Sequence, residues 1–446
     1  MTGPGERAAP RRRMAVALRR SPWDAEIMRL AWPALGALAA DPLVSLVDLA
    51  YVGRLGTTEL AAVAVAAAVF GVAFAAFNFL SYSTTPLVAV AMGRGDAEGA
   101  GRVATTAILA AVALGVIAMA VLLAFPHQLL GALGAGDDIL GPATTYLRIR
   151  ALALPALLFI TALHGIFRGL QNTRTPFLVA GGLSLVNLVL DPILIFGLDW
   201  GLAGAAWATV VAQVAGAVAF AAALRLVVRS GQMPLQRPGI AEAVAMGSAG
   251  RSLVLRTLSL LGFFTATTAV AARLGTVPVA AHQIANQVFL FLALVLDAVA
   301  ITGQAMVGRA VGQDDRAALL AQVDRLLVLG TAAGAAIAAV LVLAAPVLPL
   351  VFTGDEAVVA AVHSVIPQLA LVQLVGGAVF AWDGIVIGAT DFAYAMKATL
   401  IPAVIAGAAL FAAYRLGTTL SGVWWVVVGL MVLRAAMLAR WHARFA

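Results

Sequence analysis

The chain has 446 residues, of which 63% are hydrophobic and 11% are charged, with 28 Lys and Arg against 21 Asp and Glu. Soluble domains have about 45–50% apolar and about 25% charged residues. The composition and the mean hydropathy of +1.01 therefore exclude an ordinary soluble protein. The net charge of +7 does not predict nucleic-acid binding, because the arginines lie between apolar runs and form no basic face with interleaved aromatics. The chain has no cysteine and only scattered histidines, so we expect no disulfides, no metal cluster of these residues and no cofactor.

A bilayer core of about 30 Å needs about 20 apolar residues in a helix. The sequence predicts an all-α polytopic membrane protein of twelve transmembrane helices, at 26–52, 59–84, 101–125, 143–168, 176–198, 201–228, 252–273, 278–304, 318–345, 361–388, 395–414 and 420–440. A basic segment, 1–25, precedes the first helix. We expect that helix to be retained rather than cleaved as a signal peptide, because it is long, contains Asp41, Pro42 and Asp48, and lacks a small-residue cleavage site.

The two halves of the chain are internal repeats of each other. Arg54-Leu55-Gly56-Thr57 recurs 219 positions later as Arg273-Leu274-Gly275-Thr276, and the same offset relates Gly165-Ile166 to Gly384-Ile385. This period suits a duplicated transporter rather than a solenoid of short repeats. The hydrophilic joint at 229–251 separates the halves, so we predict a cytoplasmic linker there, an N-lobe at 26–228, a C-lobe at 252–440 and a cytoplasmic tail at 441–446.

Arginine distribution predicts the orientation, because positively charged loops stay cytoplasmic. One set of loops and termini carries most of the arginines, namely the N-terminal cluster, Arg94, Arg102, Arg168, Arg174, Arg225, Arg229, Arg237, Arg251, Arg309, Arg316, Arg434, Arg440 and Arg444. The opposite loops carry little more than Arg54, Arg273 and Arg415, while Arg148 and Arg150 fit this pattern less well. We expect a multi-pass protein of the cell (inner) membrane with both termini cytoplasmic and two lobes of the same orientation, acting as a monomer.

Acidic and amide residues interrupt the first, fifth and sixth predicted helices. Asp41, Ser45 and Asp48 share one helical face, as do Ser184, Asn187 and Asp191, while Thr209 and Gln213 are one turn apart. Ionisable residues within a membrane are costly and usually functional. Asp48 and Asp191 fall at similar depth near the outer ends of their helices, and no arginine is expected at that depth.

Two carboxylates, an amide oxygen and a hydroxyl can bind a small hard cation such as sodium. Alternatively the carboxylates can bind protons, because burial and a like-charged neighbour favour the protonated acid. A third interpretation is that each acid only caps a kinked backbone, since Pro42 and Pro192 follow Asp41 and Asp191, or that it pairs with an arginine. We favour an ion-coupling role for Asp48 and Asp191, and Asp41 fits either interpretation.

The second half provides an internal control. At the common offset, Asp41, Asp48, Asn187 and Asp191 become Leu260, Thr267, Ala406 and Leu410. Acids needed only for packing would tend to recur in both halves, so we expect coupling ions in the first half alone. The second half has His282, Gln283, Asn286 and Gln287, which either contact substrate or hydrogen bond helices together. Asp297 and Asp383 follow, and for Asp383 we expect a gate or a structural tie.

Several stretches resemble the multidrug and toxic compound extrusion (MATE) transporters, and among them the branch named for the DNA-damage-inducible protein F. These are Pro42–Asp48 with Val52–Gly56, Arg168–Pro176, Asn187–Asp191, Gly201–Thr209 and Ala281–Ala285. The resemblance covers about 26 to 440.

The resemblance implies a V-shaped pair of six-helix lobes that exports amphipathic, often cationic compounds in exchange for sodium or protons. It also implies an ion site on Asp48, Asn187, Asp191 and Thr209, with Tyr146 nearby. The chain departs from some members at Thr161 and by adding Asp41, which leaves sodium and proton coupling both open. We therefore expect small-molecule substrates in a cavity near His282, Gln283 and Asn286, sodium or protons as the coupling ion, and lipid as the surroundings.

The sequence disfavours three other functions. A flippase of lipid-linked sugars or other amphipathic metabolites would need further spans and more arginines facing the central cavity, and neither is evident from the sequence. A membrane enzyme would need a catalytic motif, and the chain has neither HExxH nor GxSxG. A passive channel would repeat its polar ring in both halves. We therefore expect no enzymatic activity.

Overall fold

The computed structural model describes residues 21–445, apart from the side chains of 41 and 73–75, so residues 1–20 of the predicted basic segment 1–25 lie outside it. All regular secondary structure in this part of the chain is helical. We number the α-helices α1 Trp23–Val52, α2 Thr57–Phe77, α3 Phe79–Gly93, α4 Ala97–Ala124, α5 Pro126–Ala132, α6 Asp137–Ala151, α7 Leu154–Gly169, α8 Arg174–Pro192, α9 Gly201–Arg229, α10 Ile240–Leu274, α11 Thr276–Gln313, α12 Arg316–Ala344, α13 Glu356–His363, α14 Ile366–Gly388, α15 Phe392–Arg415 and α16 Leu420–Phe445.

Ten described helices are each long and apolar enough to cross a membrane, and α6 with α7 forms an eleventh crossing bent by 50°. The second predicted span, 59–84, is instead two shorter apolar helices, α2 and α3. They meet at Asn78, which keeps right-handed helical dihedrals, so the pair continues to Gly93. The predicted linker is also shorter than expected, because α10 begins at Ile240 rather than near 252.

The duplication is visible in the helix caps. The Asp96 carboxylate accepts a hydrogen bond from Gly99 N at 2.7 Å, and its repeat counterpart Asp315 accepts one from Ala318 N at 2.9 Å. Each begins the third long helix of its half. Such caps satisfy amide groups that have no partner within the helix, so both halves start this helix by the same device.

Equivalent glycines allow equivalent helices to approach closely. A Cβ at Gly165 on α7 would lie 2.9 Å from the Ser81 carbonyl oxygen on α3, and a Cβ at Gly384 on α14 would lie 2.3 Å from that of Ala300 on α11. All four positions are related by the 219-residue offset. Small residues of this kind are typical of membrane helix interfaces, so each lobe is built on the same internal crossing.

The two lobes meet along α3 and α11. A Cβ at Gly93 would lie 2.2 Å from the Arg309 carbonyl oxygen and 3.0 Å from Gly312 Cα. In return, a Cβ at Gly312 would lie 2.2 Å from the Val90 carbonyl oxygen and 2.9 Å from Gly93 Cα. We call this contact the glycine seam. It lies where α3 and α11 end beside Arg94 and Arg309, which we call the arginine-rich end of the molecule.

Polar contacts between the lobes lie in the same half of the molecule. The Tyr82 hydroxyl donates to Asp297 at 2.9 and 3.1 Å, and the Arg309 guanidinium donates to Gln171 Oε1 at 2.9 Å. Arg325 on α12 forms a bidentate ion pair with Asp24 at the start of α1. These hydrogen bonds and this ion pair lie toward the arginine-rich end, so they join the lobes there.

Candidate functional site

Asp48 and Asp191 come together near the end of the membrane opposite the arginine-rich end, because α1 packs against α8. The Asn187 side-chain amide bridges them. Its Nδ2 donates to Asp48 Oδ1 at 2.7 Å and to Asp191 Oδ2 at 3.0 Å. The two carboxylates are close enough that a proton on one would be hydrogen bonded to the other. We call these three side chains the acid–amide cluster.

Local helix geometry explains how α8 contributes two members. Asn187 and Asp191 are one turn apart and therefore lie on one face. Directly after Asp191, Pro192 supplies no amide hydrogen, and residues Ile193–Gly197 form a π-helical turn in which Leu198 N donates to Ile193 O at 2.8 Å. Such turns often occur at functional sites. The irregular backbone lies beside the cluster.

The cluster is buried and incompletely satisfied. Asn187 and Asp191 are buried, whereas Asp48 is half-buried. Asn187 Oδ1 and Asp191 Oδ1 have no hydrogen-bond partner in the structure. A buried acceptor without a partner is costly, and a monovalent cation or a proton at these oxygens would remove that cost. These oxygens could therefore bind either ion.

Sodium and a proton would use the amide differently. Asn187 Nδ2 lies between the two carboxylates, which is the place a bound cation would take. Sodium binds oxygen ligands, so the amide would have to turn over and present Oδ1. A shared proton requires no such turn. Within the described parts of 21–445, no group of three or more His, Asp or Glu side chains could hold a metal ion.

The other residues implied by the resemblance lie in less direct positions. Tyr146 is buried and acts electrostatically with both Asp48 and Asp191. Thr209 and Thr161 are buried, but their hydroxyls donate to carbonyls of their own helices, at Ala205 (3.1 Å) and Leu157 (2.9 Å). The side chain of Asp41 lies outside the described residues.

The expectation that no arginine lies at this depth is wrong. Arg150, near the end of α6, acts electrostatically on Asp191 and on Tyr146. The bend between α6 and α7 falls directly after it, and its guanidinium lies over the rings of Phe70 and Tyr146. The poor fit of Arg150 to the arginine distribution was the signal in the sequence.

The repeat counterparts of the cluster are buried and carry no charge. Ala406 and Leu410 are buried, and the buried Thr267 donates its hydroxyl proton to Phe264 O at 2.7 Å on its own helix. Nothing at these positions could carry a coupling charge. The asymmetry read from the sequence is therefore also an asymmetry of the packed lobes.

The polar residues at the start of α11 lie in two kinds of environment. One suits hydrogen bonding between helices, and the other suits contact with substrate. His282 is buried, and its Nε2 lies 3.1 Å from Thr268 Oγ1 on α10, so it connects two helices within the C-lobe. Gln283 and Gln287 are exposed at one-turn spacing, and Asn286 is half-buried. An exposed amide stripe on a membrane helix suits a water-filled cleft better than lipid.

Asp383 ties three C-lobe helices together. It accepts hydrogen bonds from Arg256 Nη2 on α10, at 2.8 Å, and from Arg434 on α16. Arg168, on α7 of the N-lobe, is also buried and donates to Ser81 Oγ at 3.2 Å. The arginine distribution alone does not predict that these side chains lie inside the lobes.

The MatE family model matches residues 33–193 and 253–411, one segment in each half of the chain. The chain is 32% identical to Protein DETOXIFICATION 43 of Arabidopsis thaliana, covering 92% of this chain and 88% of that protein. It is 33% identical to DNA damage-inducible protein F of Escherichia coli K12, covering 67% of this chain and 66% of that protein.

The fold is also known. A crystal structure of a MATE protein in a bent conformation matches with a TM-score of 0.88 and 23% identity, covering 94% of this chain and 95% of that one. This match confirms the predicted all-α architecture of two lobes. Because the family model covers both repeats and Protein DETOXIFICATION 43 matches over 92% of the chain, the protein belongs to the multidrug and toxic compound extrusion family of membrane transporters.

Proposed function

We propose that the protein is a secondary active antiporter that exports amphipathic, often cationic compounds in exchange for protons or sodium. The observation that carries this proposal is the acid–amide cluster, which leaves two of its buried oxygens unpartnered and has no polar counterpart at Ala406 and Leu410 of the other lobe. A passive pore has no need of such a cluster. Membership of an efflux family supports the export direction, while the relatives leave substrate and coupling ion open.

The mechanism is alternating access. The lobes are joined at the arginine-rich end, which the positive-inside rule makes cytoplasmic, so this conformation is the outward-facing one. An ion entering from outside would bind Asp48 and Asp191 and neutralise the N-lobe. That change would weaken the hold on a cationic substrate and favour its release. Coupling of this kind requires only that the ion bind one conformation better than the other.

The remaining site assignments follow from this mechanism. We propose Asp48, Asn187, Asp191 and Thr209 as ion ligands, or the two acids alone as proton acceptors, with Tyr146 beside them. Asp41 and Thr161 are further candidates. Gln283 and Asn286 would face substrate in the cleft between the lobes, whereas His282 is the weaker candidate because its imidazole is engaged by Thr268. We propose a monomer in the cell (inner) membrane with both termini cytoplasmic.

The test is reconstitution in liposomes with separately imposed proton and sodium gradients, scored by ethidium movement. We expect uphill movement with one gradient and its loss in Asp48→Asn and Asp191→Asn. The matched control is Asp199→Asn, which makes the same change on an exposed acid of the same membrane face, at a positive φ that Asn tolerates. Full gradient-driven movement in the Asp48 and Asp191 variants would refute the coupling role.

A second candidate substrate class is supported by one observation. The buried Arg168 and Arg434 and the half-buried Arg256 outnumber the two acids near them, Asp297 and Asp383. This surplus of positive charge favours an anionic headgroup, as on a lipid-linked or other amphipathic metabolite. If a lipid pyrophosphate competes with ethidium for transport, this candidate gains. If it has no effect at saturating concentration, the candidate is excluded.

A further inference from the structure

The first helix of the C-terminal half, α10, begins inside the other lobe. Met246, on its second turn, is buried in the core cluster that contains Leu80 of α3. One turn further on, a Cβ at Gly250 would lie 2.8 Å from the ring of Phe79, which is also on α3. The linker before α10 is held by the same cluster, because Met233 is buried in it. The start of α10 is therefore part of the N-lobe core.

The first helix of the N-terminal half, α1, shows the reverse arrangement. Ile27, which corresponds to Met246 at the 219-residue offset, is buried in the core cluster that contains Leu326 of α12. Two turns further on, Ala34 is buried with Ile301 of α11 in a second, smaller cluster. The start of α1 is therefore part of the C-lobe, although its other end belongs to the acid–amide cluster of the N-lobe.

An ion pair fixes the start of each helix to the opposite lobe. Arg325 of α12 donates through Nη2 to Asp24 Oδ2 at 2.8 Å, with a second hydrogen bond from its Nε to Oδ1. Arg102 of α4 donates through Nε to Glu242 Oε1 at 2.8 Å. In the register of the repeat, Asp24 falls one residue from Glu242, and Arg325 falls one turn from Arg102. Each half therefore uses its third long helix to hold the first helix of the other half.

We propose that residues 23–34 of α1 move with the C-lobe and residues 240–250 of α10 move with the N-lobe throughout the transport cycle. We call these two segments the exchanged starts. Pulling either one from its partner lobe would expose buried apolar side chains and break an ion pair in every cycle, which burial of apolar surface opposes. The lobes therefore turn about two crossing helices that keep them connected, while the glycine seam parts. This inference rests on the proposed alternating access of the two lobes.

A latch at the arginine-rich end would behave differently. If the two ion pairs closed that end as a latch, each would have to break once per cycle, and a covalent link in its place would stop transport. An exchanged start stays with its partner lobe, so a covalent link between the two should be tolerated. Cross-linking therefore separates the two roles.

The experiment uses cysteine pairs, because the chain has no cysteine of its own. Asp24→Cys with Arg325→Cys replaces one ion pair, and Arg102→Cys with Glu242→Cys replaces the other. Each variant is reconstituted in liposomes and treated with bifunctional thiol reagents of graded length, and mass spectrometry confirms the link. Gradient-driven ethidium movement is then compared with that of the untreated sample of the same variant. We expect each cross-linked variant to keep most of its transport rate.

The matched control is Gln171→Cys with Arg309→Cys. It replaces another hydrogen bond made by an arginine at the same end of the molecule, but this bond joins the loop after α7 to α11 and involves neither exchanged start. It therefore ties the main bodies of the two lobes together. We expect the cross-linked control to lose nearly all of its transport.

Two failures can be told apart. Loss of transport on cross-linking either exchanged start, with the untreated sample active, would overturn the exchange and leave the antiporter standing. Undiminished transport in the cross-linked control would overturn alternating access of the two lobes, and the exchange with it. The pair at Arg102 and Glu242 decides the matter if the variant at Asp24 and Arg325 does not fold.

Discussion

Gly93 and Gly312 occupy the same position in the two halves of the chain and lie against each other across the lobe interface. Their surroundings are reciprocal, because each lacks a Cβ that would strike the carbonyl of the other half's equivalent residue, Arg309 or Val90. Reciprocity of this kind marks a two-fold axis. The local axis of the duplicated protein therefore passes through the glycine seam, and opening the arginine-rich end requires the seam to separate.

We expect Gly312→Ala to shift the conformational equilibrium toward opening at the arginine-rich end. A methyl group placed 2.2 Å from the Val90 carbonyl cannot be accommodated without moving backbone. Overpacking typically costs about 1–3 kcal/mol, which corresponds to at least about a fivefold shift between the two states. Ethidium transport should slow because one state is disfavoured.

Thiol labelling measures this shift directly, because the chain has no cysteine of its own. The reporter is Ala305→Cys, a buried position one turn from Gly308 on α11. Labelling should be faster in the Gly312→Ala background. Gly429→Ala is the control, since nothing lies within 4 Å of a Cβ at that helical glycine. Equal labelling rates in the two backgrounds would contradict the prediction.

The Tyr82–Asp297 hydrogen bond should stabilise the same closed end. Tyr82→Phe removes a hydroxyl that donates to a carboxylate across the lobes, and we expect Ala305→Cys labelling to rise roughly fivefold or more. Tyr394→Phe is the matched control, because its hydroxyl donates to Met437 O at 2.7 Å within the C-lobe. Thermal stability should fall in both variants, whereas interlobe opening should change only in Tyr82→Phe.

Loss of the Asp383 carboxylate should destabilise the C-lobe. Asp383→Asn would leave the buried Arg434 without its counter-charge and would also remove the partner of the half-buried Arg256, and breaking a buried pair in this way costs about 3–5 kcal/mol. We expect a clear drop in melting temperature of the purified protein. Asp138→Asn, on an exposed acid of α6, should have little effect. A melting temperature equal to that of Asp138→Asn would show that Asp383 is no structural tie.

Thr209 can distinguish sodium from proton coupling. Thr209→Val removes one candidate sodium ligand, so a sodium-coupled protein should need about tenfold more sodium for half-maximal transport, whereas a proton-coupled one should be nearly unchanged. Thr399→Val is closely matched, since its buried hydroxyl also donates to a carbonyl four residues earlier, at 3.1 Å. If both variants shift the sodium requirement equally, Thr209 has no specific role at the ion.

The fold could be predicted further than the site. Hydropathy and the internal sequence repeat place most helix ends to within a few residues. A membrane span needs a long apolar stretch, and few segments of the chain provide one. The break between α2 and α3 at Asn78 could not be predicted in this way. Even in the structure the Asn78 dihedrals remain helical. Asp48, Asn187 and Asp191 could be grouped because helical spacing and depth are readable from sequence.

Charge pairing within the bundle could not be read in the same way. The contact of Arg150 with Phe70 depends on how α2 and α6 pack, and the pairing of Asp383 with Arg256 and Arg434 depends on which helices become neighbours. Neither the direction of a bend nor the lateral order of helices is written in local spacing. Both follow from packing of the whole lobe.

The position of the acid–amide cluster also determines how the membrane voltage acts. Asp48 lies four residues before the end of α1 at Val52, which is about 6 Å along a helix in a hydrocarbon core of about 30 Å. An ion binding from that side would cross roughly a fifth of the electric field, which contributes only about 0.5 kcal/mol at 100 mV. The larger part of the voltage falls between the cluster and the glycine seam, so it would act on the return of the loaded lobe and on ion release rather than on ion capture.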